Sequence, residues 1–582
     1  MNTLLHLLQG LLTCAIHKAF GDALSSQERR ADIAVCAQEE FGHYQCNSAL
    51  RLSKLLKMNP REVAQKIIDA LEQKERFLKV EIAGPGFINL TFSSLFLSKE
   101  LQNLIQDPLL GAVAPSKKEK VIVEFSSPNV AKELHVGHLR STIIGDCLAR
   151  LFEFLGYDVL RLNHLGDWGT QFGMLIAYML ECAPLVLSGK EKTDLPALMG
   201  WYRAAKQRFD EDPLFKKRAQ LEVVRLQSQE PEAMRAWQKI CEISRMGYEE
   251  IYDLLGVRIV ERGESFYNPY LADVVKELES KHLIQVSDGA KCLFLEGFQN
   301  RDGDPFPLMV QKSDGGYNYD TTDLAAVRYR IFVDQADRII CVTDLGQSLH
   351  FQMIFAAAKK AGWTEERKVA LDHVGFGLVL GADGKKFKTR SGDTEKLIDL
   401  LHEAIDRARI ILKERTPDIE HADCERLAKV LGIGAVKYAD LSSSRTKDYT
   451  FSYDKMLRFD GNTAVFLLYS FVRIRGIQRK TKANMGQILA NTTISLGHPS
   501  EIALGLHVRR FGEVLANLEV DLTPNRLTDY LYVLAEKFNA FFRDCRVEGS
   551  EEEKTRLLLC EITARVLGQG LHILGLQTVD KM

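Results

Sequence analysis

Residues 121–146, VIVEFSSPNVAKELHVGHLRSTIIGD, constrain the fold more than any other stretch of this chain. A β-branched run (Val121, Ile122, Val123) ends in a polar turn, and a long amphipathic helix begins at His135-Val136-Gly137-His138. Leu139, Ile143, Ile144, Cys147, Leu148, Leu151, Phe152 and Leu155 then recur at the spacing of one helical face, and Gly156 stops the helix. Strand, tight turn and helix N-terminus make a place to hold nucleotide phosphates, because backbone N–H groups and the helix dipole point at the anion. Two imidazoles there can donate to a phosphate whose charge grows in a transition state. The glycine lets a flat adenine approach the backbone. Two blander readings compete, a solvated helix start with ordinary histidines and half a metal site. The metal reading lacks a third ligand nearby, and no protein-held metal is expected.

At 582 residues the chain should hold several domains. A formal net charge of −2 excludes a globally basic nucleic-acid binder, so any nucleic acid must be met by local patches. Eleven cysteines without a C-x-x-C pair argue against a zinc ribbon or disulfide framework and suit a reducing cytoplasm. No apolar run is long enough to span a bilayer.

Residues 1–107 read as an α+β unit, helices followed by short strands. MNTLLHLLQGLLTC reads as an amphipathic first helix, since it lacks the basic flank and cleavage site of a signal peptide. PLLGAVAPSKKEK reads as a linker. Residues 116–400 carry an α/β pattern, with a second strand at 159–162 and a right-handed crossover joining parallel strands. A charge-rich helical insertion, 187–310, interrupts the pattern and is expected to lie outside the sheet. The pattern resumes with a strand at 338–342, a helix over 347–360 and an apolar strand at 374–380. Residues 401–582 read as almost all helix.

Three further constellations carry chemistry. GADGKKFKTRSGDT places Lys385, Lys386, Lys388 and Arg390 in a glycine-punctuated loop after an apolar strand, where an open α/β sheet has its ligand crevice. Such a loop can close over a triphosphate; a solvated basic turn is the alternative. SDGGYNYDTTDLAAVRYR carries Tyr319 and Asp323, and Glu124 ends the first strand. Two carboxylates and a phenol suit a guanidinium, while Asp323 could equally cap its helix. In RFDGNTAVFLLYSFVRIRGIQRK, aromatics (Phe459, Phe466, Tyr469, Phe471) interleave with Arg458, Arg473, Arg475, Arg479 and Lys480. Aromatic faces stack bases and basic groups hold phosphates, although most of these aromatics are expected to be helix core.

On these residues the chain resembles the arginyl-tRNA synthetases, a class I aminoacyl-tRNA synthetase family with an H-x-G-H signature after the first strand. SSPNVAKELHVGHLRSTIIGD, NHLGDWGTQFG and the terminus LGLQTVDKM resemble the arginine branch. The resemblance implies a Rossmann-type catalytic domain with an inserted connective region, an added N-terminal domain that meets the tRNA elbow, and an all-α anticodon-binding domain. It implies that His135 and His138 stabilise the ATP phosphates and that Gly137 packs under adenine. Lys386, Lys388 and Thr389 would complete the ATP site. Glu124, Tyr319 and Asp323 would hold the guanidinium, and Ser127, Asn129 and Gln347 the α-amino end; here the pocket reading of Asp323 displaces the cap. The usual K-M-S-K signature is replaced by Lys386-Phe387-Lys388-Thr389-Arg390, and Lys132 would supply part of the missing charge. Arg458, Tyr469, Arg473 and Arg475 would touch tRNA. The substrates implied are L-arginine, ATP with substrate-bound Mg²⁺ and tRNA(Arg), handled by a cytoplasmic monomer, with arginine activation dependent on tRNA. An RNA-binding paralogue without activity would show broken signatures, and a small-molecule nucleotidyltransferase would have no use for the helical C-terminal region.

Overall fold

A computed structural model describes residues 3–300, 302–381, 383–385, 396–481 and 483–582. Its centre is a five-stranded parallel sheet of Lys120–Glu124, Asp158–Asn163, Val260–Glu261, Arg338–Asp344 and Ala370–Phe376. Counted along the chain, the strands lie in the spatial order five, four, one, two, three. The order reverses between Lys120–Glu124 and Arg338–Asp344, and a doubly wound sheet has its ligand crevice at that point, outside the carboxyl ends of the strands. The first strand is buried on both faces, as parallel strands are. Val121 and Val123 pack toward the signature helix Val136–Leu155, while Ile122 faces the other cluster with Leu162, Leu324 and Ile339.

The insertion departs from expectation in one respect. Val260–Glu261, inside the span expected to lie off the sheet, pairs in parallel with Leu162 and Asn163 and forms its edge. Before it come the helices Leu195–Glu211, Pro213–Gln227 and Pro231–Leu255; after it comes a three-stranded antiparallel sheet, Ile284–Ser287, Ala290–Gln299 and Pro305–Gln311. The apolar run at 374–380 also divides: Ala370–Phe376 belongs to the main sheet, whereas Val379–Leu380 pairs with Tyr449–Thr450. The resumed helix spans Ser348–Lys360.

The N-terminal unit is α+β as expected, with four antiparallel strands and the helices Leu4–Phe20, Ser48–Leu56, Pro60–Ala70 and Ser94–Leu104. Leu4, Leu8, Leu12, Ala15 and Ile16 bury the apolar face of its first helix. From Leu397 onward the elements among the described residues are helices, except for the short strand Tyr449–Thr450. Part of the expected linker is core: Leu110 and Ala112 are buried, and Gly512 approaches Gly111 so closely that a Cβ there would lie 1.9 Å from the Gly111 carbonyl oxygen. No helix among the described residues is long and apolar enough to cross a membrane.

Candidate active site

The signature helix begins with its two histidines capping it. His135 is the N-cap, and its Nδ1 accepts the Gly137 N–H at 3.0 Å. His138 Nδ1 accepts the His135 N–H at 3.1 Å. This is a capping box built from imidazoles. An Nδ1 that accepts carries no proton, so when either ring is neutral its hydrogen sits on Nε2. Burial, then the neighbouring His135, pushes the His138 pKa down to about 3, with the Lys132 charge adding to the effect. His138 is therefore a neutral donor. Gly137 serves the pair directly, since a Cβ there would lie 2.8 Å from His135 Cε1. Lys132 is exposed at the end of the same loop.

The second basic segment, with Lys386, Lys388, Thr389 and Arg390, lies outside the described residues. The described residues that follow, Lys396 and Leu397, are fixed against the signature. Lys396 forms a bridge with His135 and an ion pair with Glu133 at 2.8 Å, and the Leu397 N–H donates to the Leu134 carbonyl at 2.9 Å.

The acidic pocket lies across the switch point. Asn318 caps the helix Tyr319–Phe332, so Asp323 is not the cap. Asp323 instead meets His350 Nε2 at 2.6 Å and His164 Nε2 at 3.6 Å, and Asp320 meets His350 Nδ1 at 3.3 Å. Burial opposes charge on His350, but the hydrogen bonds its ring donates to Asp320 and Asp323, with their charges, outweigh burial and lift its pKa to about 9. Tyr319 is 63% exposed with its ring 5.2 Å from that of His350, a cover over the pocket. Glu124 takes a different part from the one expected: it is buried in an ion pair with Arg330, whose Nη2 lies 3.4 Å from His164 Nδ1. The carboxylate beside Asp323 is Glu264. Burial first, then the charges of Asp323 and Asp167, raise its pKa to about 8.

Glu264, His350, His164 and Arg330 were not picked out from the sequence. His350 follows Gln347 by three residues, and His164 stands inside NHLGDWGTQFG. Glu264 had no local signal, because only folding brings it to Asp323. Gln347 is exposed at the carboxyl end of Arg338–Asp344, its Nε2 3.3 Å from Asp344. Ser127 and Asn129 stand in the loop after the first strand. Asn129 packs so tightly on Gly166 that a Cβ there would lie 2.1 Å from Asn129 Oδ1.

In the C-terminal helices, Tyr469 is 42% and Phe542 44% exposed, and the Arg473 guanidinium lies over both rings at 4.8 and 5.5 Å. Phe471 is buried and Phe466 half-buried against Tyr532. Arg475 is tied to Glu561 at 2.8 Å and Arg458 to Asp460 at 2.7 Å.

Residues 100–453 match the family model described as tRNA synthetases class I (R), catalytic domain. Residues 6–92 match the arginyl tRNA synthetase N terminal domain, and 467–582 the DALR anticodon binding domain. The chain is 62% identical to the arginine–tRNA ligase of Protochlamydia amoebophila (strain UWE25) and 52% identical to that of Chlamydia felis (strain Fe/C-56), over the whole of both sequences in each case. It superposes on the crystal structure of arginyl-tRNA synthetase from Plasmodium falciparum with a TM-score of 0.88 at 34% identity, again covering both chains fully.

Proposed function

We propose, for a chain that belongs to the class I arginyl-tRNA synthetase family, a residue-level account of how its crevice carries out arginine–tRNA ligation. In that reaction arginine and ATP give arginyl-adenylate and pyrophosphate, and the arginyl group then passes to tRNA. The arginine carboxylate attacks the α-phosphate in line, and the bond to the β-phosphate breaks as pyrophosphate leaves. The 2′-hydroxyl of the terminal adenosine of tRNA(Arg) next attacks the acyl carbon and releases AMP. No covalent enzyme nucleophile is needed, so positioning and phosphate electrostatics do the catalysis.

The Nε2–H groups of His135 and His138 donate to the phosphates in the transition state, and Lys132, Lys388 and Arg390 supply cationic charge around them. Gly137 with Lys386 and Thr389 completes the nucleotide site, and Mg²⁺ enters on the triphosphate oxygens as part of that substrate. Asp323 and Glu264 receive the guanidinium, with Tyr319 closing over it. Ser127, Asn129 and Gln347 orient the α-amino end. Glu124 acts from behind by holding Arg330 and, through it, His164. Tyr469 and Arg473, with Phe542 beside them, offer tRNA an exposed stacking surface. Arg475, already paired with Glu561, is a poorer phosphate contact, and Arg458 would have to exchange Asp460 for one. The family reading carries a cytoplasmic monomer with it, and the eleven free thiols suit that compartment.

The observation that carries the amino-acid assignment is the gathering of Asp323 and Asp320 on His350 with Glu264 beside them, where burial and then the Asp323 charge raise the Glu264 pKa, because carboxylates crowded into one pocket favour a planar cation with donors on several edges. Arginine-dependent ATP–pyrophosphate exchange, with and without tRNA(Arg), tests the account. Exchange specific to arginine, and dependent on tRNA, is expected. Exchange with lysine or citrulline at comparable efficiency would overturn the pocket, since unpaired polar groups should reject them by roughly 10⁴.

A further inference from the structure

The helix Pro231–Leu255 belongs to the region expected to stand apart from the sheet, yet three of its hydroxyls, Ser244, Tyr248 and Tyr252, recur every fourth residue and share one face. That face meets the loop between the first strand and the signature helix. Ser244 Oγ accepts the Ala131 N–H at 3.0 Å. The Tyr248 hydroxyl lies 2.8 Å from the carbonyl oxygens of both Asn129 and Lys132, so its one proton is shared between them. The Tyr252 hydroxyl lies 2.8 Å from Ser126 Oγ and accepts Asn163 Nδ2 at 3.2 Å, while Asn163 Oδ1 takes the Ser127 N–H at 2.9 Å. All three hydroxyl-bearing residues are buried.

The loop they hold is strained. Ser126, Ser127 and Ala131 have φ of +68°, +47° and +61°, in the left-handed region where a side chain is unfavourable. Three such residues in a span of six persist only where the surroundings over-determine them, and that pattern marks sites where conformation serves function. At its far end the helix is tied down as well, since its last carbonyl, that of Leu255, accepts from the buried Lys437 Nζ.

We propose that Ser244, Tyr248 and Tyr252 are positioning residues for adenylate formation: their helix face fixes the strained loop 126–132 so that Ser127, Asn129 and Lys132 meet the substrates. The inference rests on the reading of those three loop residues as substrate contacts. The brace acts through backbone groups and the side chains of Ser126 and Asn163, so its loss shifts the loop without removing any of the three loop side chains read as substrate contacts.

The test compares Tyr248→Phe, Tyr252→Phe and Ser244→Ala in the full chain with Ile251→Val, a buried change on the same helix that leaves the hydroxyls in place. Arginine-dependent pyrophosphate exchange in the presence of tRNA gives kcat and the two KM values, and a thermal melt gives Tm. Tyr248→Phe is expected to lose about tenfold or more in kcat, and Tyr252→Phe to raise arginine KM several-fold, as for a reacting group moved by a fraction of an ångström. Ile251→Val, with a similar fall in Tm, should keep wild-type kinetics. Equal losses in Tyr248→Phe and Ile251→Val would reduce the brace to ordinary packing and overturn the proposal, as would wild-type kinetics in all three hydroxyl variants. Asn129→Ala and Lys132→Ala separate the two levels. If they are impaired while the hydroxyl variants are not, the brace fails and the site stands. If they too are unimpaired, the site reading fails with it.

Discussion

The two signature histidines are caps of their helix, and the catalytic role proposed for them builds on that geometry. Because each Nδ1 accepts a main-chain N–H, local hydrogen bonding sets the tautomer, with the proton of a neutral ring on Nε2. With its pKa near 3, His138 does not titrate in the working range. His138→Ala should lower kcat by about 10²–10³ while leaving both KM values near wild type, the signature of a donor used in the transition state. The kcat profile between pH 5 and 9 should keep its shape in that variant; a limb that vanished with His138 would contradict its neutrality. In the acidic pocket, Asp323→Ala should raise arginine KM far more than ATP KM. Two groups there are expected to change protonation when the proposed guanidinium arrives. Glu264, lifted to about 8, holds its proton at neutral pH, and His350, lifted to about 9, holds its charge. A cation beside Asp323 disfavours both protons, so arginine binding at pH 7.5 should release protons, read as a calorimetric enthalpy that varies with the buffer's ionisation enthalpy. A buffer-independent enthalpy would refute the coupling. For stability the sign follows from the same shift. The His350 pKa rises from 6.5 in the unfolded chain to about 9 in the fold, so its contribution is complete below pH 6.5 and is lost as pH climbs toward 9.

Elements with a strong local period were legible in the sequence. The signature helix was read to its stop at Gly156 because its apolar face repeats over five turns. Val260–Glu261 was not, since a two-residue edge strand has no periodicity and exists only through its register with Leu162 and Asn163. The run at 374–380 looked continuous because hydrophobicity does not reveal a change of pairing partner after Phe376. Asp323 was legible as chemistry but not as geometry, and Glu264 not at all, because their proximity spans separate elements. The loop between first strand and signature helix offers its own test. Gly166→Ala would drive a Cβ into Asn129 Oδ1, so a displaced Asn129 should raise arginine KM by roughly tenfold in a protein that still folds, at an overpacking cost of about 1–3 kcal/mol. An unchanged KM would take Asn129 out of the substrate site.

Across the whole molecule, buried ion pairs join regions that the sequence showed only as separate patterns. Arg140, on the signature helix, pairs with Asp440 of the helix His421–Leu441 at 3.1 Å and donates to the Gly377 and Lys447 carbonyls at 2.8 and 3.1 Å, with both side chains essentially inaccessible. Asp440→Asn leaves a buried guanidinium uncompensated and should cost about 3–5 kcal/mol in urea unfolding. The N-terminal unit is joined to the far end of the chain in the same manner. Glu513 accepts from the Tyr44 hydroxyl and the Leu5 N–H, each at 2.8 Å, Arg510 donates to the His43 carbonyl at 2.7 Å, and Arg509 pairs with Glu100 at 2.9 Å. The first and last regions of the chain are therefore not interchangeable parts. A version shortened by its first 107 residues would strand Glu513 and Arg509 without their counterparts and strip the cover from Leu496, whose N–H is held by Ser98. The remaining helices would be sticky and prone to clump, so the organisation that looks modular along the sequence is, in assembly, closer to a closed clasp.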